Sequence, residues 1–225
     1  MKIGIVGLGK MGGNIAKRLA SKGYEVLAYD SSGATIKEAK TFRSLGEMAS
    51  ALGTCAIILS VPHTAVDDVL SKLSEKLGAG STVIDAGNSY YKDTVKRSAV
   101  MKKRSIDFLD AGCSGGPSGA LNGMSIMVGG EKKAFEKNEK LFKDLSVENG
   151  YAYFGPSGAG HFVKMVHNAI EYGMMQSIGE GFDLLANGPY AIDLKKASDV
   201  WQNGSVIRSY LMELSTRALE KDEML

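Results

Sequence analysis

Cysteine is scarce in this 225-residue chain, with only Cys55 and Cys113, and the two stand at no metal-ligand or redox spacing. Each lies beside apolar or small residues, as a reduced packing thiol does, so a disulfide framework is not expected. Metal-ligand clusters are missing as well, which argues against a resident metal. Lysine and arginine total 27 against 25 aspartates and glutamates, and with no basic block nucleic acid is not an expected partner. No apolar run is long enough to cross a bilayer. Met1 leads straight into a strand pattern without a signal-peptide profile. Internal repeats and low-complexity segments are also lacking. A soluble cytoplasmic protein is expected, associated with neither membrane nor nucleic acid.

What the chain does have is a real core, with 44% hydrophobic residues, and enough length for one large domain or a domain and a half. Strand patterns fall at 3–6, 25–29, 56–61, 82–85, 107–110 and 125–128. Helical patterns fall between several of them, at 14–22, 65–77 and 93–103. This alternation predicts an α/β fold with a Rossmann-type, doubly wound, mostly parallel sheet. Gly155-Pro156-Ser157-Gly158 breaks the pattern. Beyond it only helices are expected, a long one over 160–186 and shorter ones over 193–201 and 205–220. The expected domains are therefore 1–158, binding a nucleotide, and 159–225, all helical.

The segment GLGKMG, residues 7–12, follows the first strand and opens a helix, the context in which GxGxxG carries weight. Gly7 permits the tight turn, Gly9 lets the backbone approach a pyrophosphate, and Gly12 lets helix and strand pack closely. The helix N-terminus offers amide donors to phosphate. Asp30 ends the second strand, about 20 residues on, where an acid binds ribose hydroxyls. Ser31 and Ser32 follow it, and neither is an arginine that would hold a 2′-phosphate. NAD is favoured over NADP, which stays possible because Lys37 is within reach. The alternatives are an empty glycine turn and an aspartate that merely starts a turn.

On the long helix, Lys164, His167, Asn168, Glu171 and Tyr172 recur at steps of three and four. At ~100° per residue they span an arc of roughly 140°. An amine, an imidazole, an amide, a carboxyl and a phenol on one face suit a cavity lining better than a solvated surface. The bland reading is an intrahelical salt-bridge pattern, worth only a few tenths of a kcal/mol. Asn88 and Ser89, in DAGNSYY, stand at the carboxyl end of a strand, where open α/β sheets bind ligands. In AGCSGGPSGA, Ser114, Gly115 and Gly116 free amides and a hydroxyl for a carboxylate. Arg208, among apolar neighbours early on the last expected helix, suits an anion. A lysine acts as base near neutral pH when burial or a neighbouring cation lowers its pKa, and its ammonium can then stabilise an enolate.

With GLGKMGGNIAKRL, DAGNSYY, CSGGPSGA, GAGHFVKMVHNAIEYGMMQ and GSVIRSYL, the whole chain resembles the 6-phosphogluconate dehydrogenases, in particular the shorter members that tend to use NAD. The resemblance implies a Rossmann-type domain followed by a helical one, a homodimer or larger oligomer, and 6-phosphogluconate as substrate. The reaction implied is oxidative decarboxylation to ribulose 5-phosphate in the pentose phosphate pathway. It implies that Lys164 takes the C3 hydroxyl proton and that Glu171 protonates C1. It likewise implies that Asn88, Ser114, Gly115, Gly116, His167 and Asn168 contact the substrate and that Tyr172 and Arg208 contact its phosphate. The cofactor residues it implies are Gly7, Leu8, Gly9, Met11, Gly12, Asp30, Val61 and Asn88.

The familiar members are longer, with a C-terminal segment whose Arg and His complete the neighbouring subunit's site. Against that pattern the chain reads as C-terminally short, its last residues, 219–225, resembling a helix without a closing cap. Two rival readings remain open. One is another β-hydroxyacid dehydrogenase of the 3-hydroxyisobutyrate type, a group that shares the glycine turn, the Ser-Gly-Gly loop and the lysine. That group generally lacks the His-Asn-x-x-Glu-Tyr run and the Ile-Arg-Ser segment. The other is a catalytically silent NAD-binding or assembly module.

Overall fold

In the computed structural model, which describes residues 1–222, the chain begins with the alternation the sequence predicts. The first elements are β1 (Lys2–Val6), α1 (Lys10–Ser21), β2 (Glu25–Tyr29), β3 (Lys40–Thr41), α2 (Leu45–Leu52) and β4 (Ala56–Leu59). There follow α3 (Val66–Ser74), β5 (Thr82–Asp85), α4 (Tyr91–Lys102), β6 (Asp107–Ser114), α5 (Gly116–Asn122), β7 (Met124–Gly130), α6 (Lys132–Leu145) and β8 (Ser146–Gly155). The strands form one sheet in the order β3-β2-β1-β4-β5-β6-β7-β8. All neighbours are parallel except β6 and β7. The order reverses between β1 and β4, and that switch point leaves a crevice at the carboxyl ends of the two strands.

Alternate side chains of the central strands feed two cores, one on each face of the sheet. Ile58, Ile84 and Leu109 join Ile15, Leu19 and Phe142 on one side. Ile57, Val83 and Phe108 join Met48, Leu52 and Leu73 on the other. Helix α1 buries Gly12, Gly13, Ile15, Ala16 and Leu19, a stripe at helical spacing. Helix α4 differs, because two of its three buried residues, Thr94 and Arg97, are polar.

Several elements depart from expectation. Helix α1 starts at Lys10, with Gly9 as its N-cap, four residues ahead of the apolar pattern. The strand expected over 56–61 stops at Leu59, where the chain turns into the crevice. The glycine-rich AGCSGGPSGA segment, expected to follow a strand ending at 110, is the end of β6, a left-handed Gly115, and the short helix α5. Strand β8 carries no clean alternation, since Asn149 has a positive φ and the pairing with β7 shifts register. The charged, amphipathic α6 was likewise not anticipated.

The long helix α7 (Ala159–Ala186) is followed by α8 (Leu194–Gln202) and α9 (Tyr210–Leu219). Compact units divide within α7, into Met1–Met165 and Val166–Leu225, whereas the expected boundary fell just ahead of the helix. In the second unit α8 and α9 bury Ser198, Met212 and Leu219, and Phe182 packs on Trp201 with ring centroids 5.5 Å apart. The helix expected over 205–220 begins at Tyr210, because the Ser209 side chain caps it by accepting from the Met212 amide at 3.1 Å. Arg208 therefore precedes the helix instead of lying on it, and it is exposed, as are Val206 and Ile207. Helix α9 ends at Leu219, while residues 223–225 of the expected helical tail lie outside the described residues. No helix among the described residues is long and apolar enough to cross a membrane.

Candidate active site

At the β1–β4 switch point lies a cleft of about 350 Å³, lined by Gly7, Gly9, Asp30, Ser60, Val61 and Val69 among others. The three motif glycines do separate things. Gly7 has φ +93°, and a Cβ there would strike the Ser60 carbonyl. A Cβ on Gly12 would strike the Gly7 carbonyl, so Gly12 sets the helix–strand distance. Around Gly9 nothing lies within 4 Å of where a Cβ would sit, so this backbone is open to a ligand. Open backbone at the start of α1 fits a pyrophosphate.

Asp30 is already oriented. Its Oδ2 accepts from the Leu8 amide at 2.6 Å, and its Oδ1 accepts from the Ser32 amide and hydroxyl. Burial pushes its carboxyl up, yet the hydrogen bonds from the Ser32 hydroxyl, the Leu8 amide and the Ser32 amide outweigh burial and hold it below its ordinary value. Of the other expected cofactor residues, Leu8 is buried and its amide is engaged by Asp30. Met11 packs against the core. Ser60, Ala65, Val69 and Lys72 line the cleft and were not anticipated. Ser60 directly follows β4, and Ala65, Val69 and Lys72 lie on the helical stretch after it, where the sequence carried no signal for them.

The β5 end adjoins this cleft, since a Cβ on Gly87 would come within 3.0 Å of the Val61 carbonyl. Asn88 is exposed on the loop that follows, while Ser89 is buried. One strand over, β6 ends in Ser114, half-buried, with Gly115 half-buried and Gly116 exposed beyond it. Lys164, in the second turn of α7, is 7% exposed. It packs on β6 at Gly112, where an added Cβ would collide with the Lys164 Cβ and approach the Gly160 carbonyl to 2.9 Å. Cys113 is close enough for the Lys164 ammonium to act on its thiol. Burial nonetheless pushes that thiol up to about 12, with Asp85 adding to the rise, so it stays protonated and non-nucleophilic. Burial also lifts Cys55 to about 11 against the pull of Lys2, and neither cysteine is in a disulfide.

In the second unit the remaining expected residues of α7 stand close together. His167 Nδ1 lies 3.5 Å from Glu171 Oε2 and 3.3 Å from Asn168 Oδ1, and all three side chains are half-buried. Tyr172 is 67% exposed. No group of histidines, cysteines and acids suited to a metal occurs among the described residues.

Residues 2–155 match the family described as the NAD binding domain of 6-phosphogluconate dehydrogenase, and 160–225 match its C-terminal domain. The chain belongs to the 6-phosphogluconate dehydrogenase family. Members of this family are oxidoreductases, and the first unit is a dinucleotide-binding Rossmann domain. The YqeC protein of Bacillus subtilis is 48% identical over 231 residues, covering all of this chain and 78% of that protein. The NAD(+)-dependent, decarboxylating 6-phosphogluconate dehydrogenase of Haloferax volcanii is 40% identical, over 99% of this chain and 76% of its own length. Among solved structures, Plasmodium falciparum 6-phosphogluconate dehydrogenase superposes with a TM-score of 0.87 at 30% identity. That match covers 100% of this chain and 52% of the other. A Mycobacterium tuberculosis 3-hydroxyisobutyrate dehydrogenase reaches a TM-score of 0.81 at 21% identity, over 96% of this chain and 74% of its own. At that identity the likeness establishes a shared fold. The chain thus spans about three quarters of the shorter relatives and about half of the longer ones.

Proposed function

We propose that this protein oxidatively decarboxylates 6-phosphogluconate to ribulose 5-phosphate and carbon dioxide, with NAD as acceptor. The observation that carries the reading is Lys164, a buried amine on the second turn of α7, packed on β6 two residues before Ser114. A buried amine at the carboxyl edge of the sheet, where ligands of this fold bind, is the kind of group a dehydrogenase site can use as a base.

In this reading Lys164 takes the proton of the C3 hydroxyl. Bound NAD supplies the acceptor for the C3 hydride. The Lys164 ammonium then donates to the C3 ketone oxygen and steadies the enolate oxygen as the C1–C2 bond breaks and carbon dioxide leaves. Glu171 returns a proton to the carbon that lost the carboxylate, giving the ketose. Asn88, Ser114, Gly115, Gly116, His167 and Asn168 hold the sugar acid, and Tyr172 and Arg208 meet its phosphate. NAD is preferred over NADP because Asp30 would repel a 2′-phosphate. Lys37, the lysine in reach, is 90% exposed and 4.0 Å from Glu38.

Helix α7 also supports a homodimer. Its buried positions are Gly160, His161 and Lys164, while Phe162, Met165, Val166, Ile170 and Met174 are all more than 40% exposed. An apolar face left to water on a 28-residue helix is what a second copy would cover. Light scattering should give a dimer or larger assembly, and a monomer would count against this.

The function is tested by following NADH absorbance with 6-phosphogluconate beside unphosphorylated 3-hydroxyacids. Turnover of 6-phosphogluconate, abolished in Lys164→Ala with NAD affinity retained, is the expected result. Turnover of unphosphorylated acids alone would favour the 3-hydroxyisobutyrate type instead, and NAD binding without turnover of any acid would favour a silent module.

A further inference from the structure

Beneath the carboxyl edge of the sheet lies a chain of buried polar groups that the proposed chemistry does not use. His161, one turn before Lys164, is 3% exposed, and Thr94, Asp85 and Asp110 are fully buried. The His161 Nε2 lies 3.1 Å from the Asp85 carbonyl oxygen, and its Nδ1 lies 2.8 Å from the Thr94 hydroxyl. A carbonyl only accepts, so Nε2 bears the hydrogen, and in the neutral ring Nδ1 accepts from the Thr94 hydroxyl, whose other acceptor, the Tyr90 carbonyl, lies farther off at 3.4 Å. Both ring nitrogens are thereby committed to fixed partners. The backbone of the same turn is held too. Asp110 on β6 accepts from the Gly158 amide at 2.8 Å and the His161 amide at 2.9 Å, a carboxylate at the N-terminus of α7.

Asp85 reaches the other side of the site as well. Its Oδ1 accepts from the Gly87 amide at 3.0 Å and its Oδ2 from the Ser89 hydroxyl at 2.6 Å, so Asn88 is held from both flanks. Arg97, 7% exposed, donates to Ser89 at 3.2 Å and lies 3.8 Å from Asp85 Oδ2. It also forms a bidentate pair with Asp67 at 2.7 and 3.0 Å. One residue, Asp85, thus ties down the Asn88 loop through its carboxylate and the start of α7 through its carbonyl.

We propose that His161 and Thr94 are positioning residues, which lock the first turn of α7 to Asp85 and so hold Lys164 in register with the Asn88 loop. The inference rests on Lys164 being the base. His161 itself moves no proton, since it is buried and both nitrogens are engaged. Its work is to keep the helix from sliding along the sheet edge by the ångström or less that proton transfer will not tolerate.

The test is Thr94→Val, which keeps the shape and removes the hydroxyl, beside Thr94→Ser, which restores it. The full chain is assayed with 6-phosphogluconate and NAD, and NAD affinity is measured by calorimetry. In Thr94→Val, kcat should fall about tenfold, with the NAD dissociation constant and the KM for 6-phosphogluconate within twofold of wild type. In Thr94→Ser, kcat should return to within about threefold. A purely structural role would lower the melting temperature and the folded fraction but leave kcat per folded site unchanged. Folded Thr94→Val with wild-type kcat overturns the proposal. If Thr94→Val does not fold, His161→Phe, which keeps a ring of similar shape and removes both hydrogen bonds, carries the same expectation, and unchanged kcat there overturns it equally. Absence of wild-type turnover, or an active Lys164→Ala, would instead overturn the assignment of the base and this inference with it. Wild-type turnover, an inactive Lys164→Ala and an unaffected Thr94→Val would remove the positioning role alone.

Discussion

Replacing Gly112 by alanine should disable the protein while leaving its nucleotide end intact. The methyl group would meet the Lys164 Cβ and would lie 2.9 Å from the Gly160 carbonyl oxygen. Ordinary contact needs 3.4–4 Å, and neither obstacle is the far end of a flexible side chain. The start of α7 must therefore lift from β6, by roughly 1 Å once both contacts are relieved. Overpacking of this kind costs about 1–3 kcal/mol, a loss of roughly 2–12 °C in Tm for a chain of this size. The larger effect falls on the chemistry, since misplacing a reacting group by ~1 Å costs about 100-fold in rate. The assay is kcat for NADH production with 6-phosphogluconate, run beside NAD calorimetry and a thermal melt. NAD affinity should stay within a few-fold of wild type, because Gly112 does not line the cofactor cleft. A folded Gly112→Ala protein with near-wild-type kcat would refute the claim that close packing of α7 on β6 places Lys164.

Gly9→Ala should fold normally, having open space around the new methyl, yet bind NAD at least tenfold more weakly by calorimetry, about 1.4 kcal/mol. Asp30→Ala should weaken NAD more than NADP in the same measurement, and unchanged selectivity would assign the preference to another residue. A pH prediction follows from Asp67, whose carboxyl is held below its ordinary value of 3.8 first by the hydrogen bond from Arg97. A depressed carboxyl contributes stability above its unfolded pKa, and the contribution is lost as pH falls through the folded one. Asp67→Asn should therefore destabilise the protein in urea titrations at pH 7, with a difference that shrinks below about pH 4. A constant difference across that range would sink the ion-pair explanation. The effect will be small, since the Asp67 side chain is 73% exposed.

The parts of this protein written locally were readable from the chain alone. GxGxxG followed by an aspartate at the end of the next strand specifies a turn, a helix N-terminus and an acid within one βαβ unit. The structure gives Gly7, Gly9 and Gly12 three distinct steric environments in agreement. The extent of α7 was also legible, because breaks at Gly155-Pro156 and Asn187-Gly188-Pro189 punctuate an unbroken helical pattern. Local signals misled at the last helix. Ser205 looked like the start of the last helix, but Ser209 has the side chain that caps it, which moved Arg208 off the helix.

Sequence by itself determined the family, the two-part organisation and the set of polar groups on one face of α7, because each depends on neighbours within a few residues. Tertiary structure alone decided which face of α7 is covered. The periodicity marks a polar face and an apolar face, but a soluble helix normally buries the second, and here Lys164 and His161 are buried while Phe162 and Met165 are exposed. It also decided the partners of the His161 ring, since Thr94 is 67 residues away and the Asp85 carbonyl 76. Contacts at such separations leave no period or spacing in the chain. They exist only once a parallel sheet has brought the ends of β5 and β6 side by side.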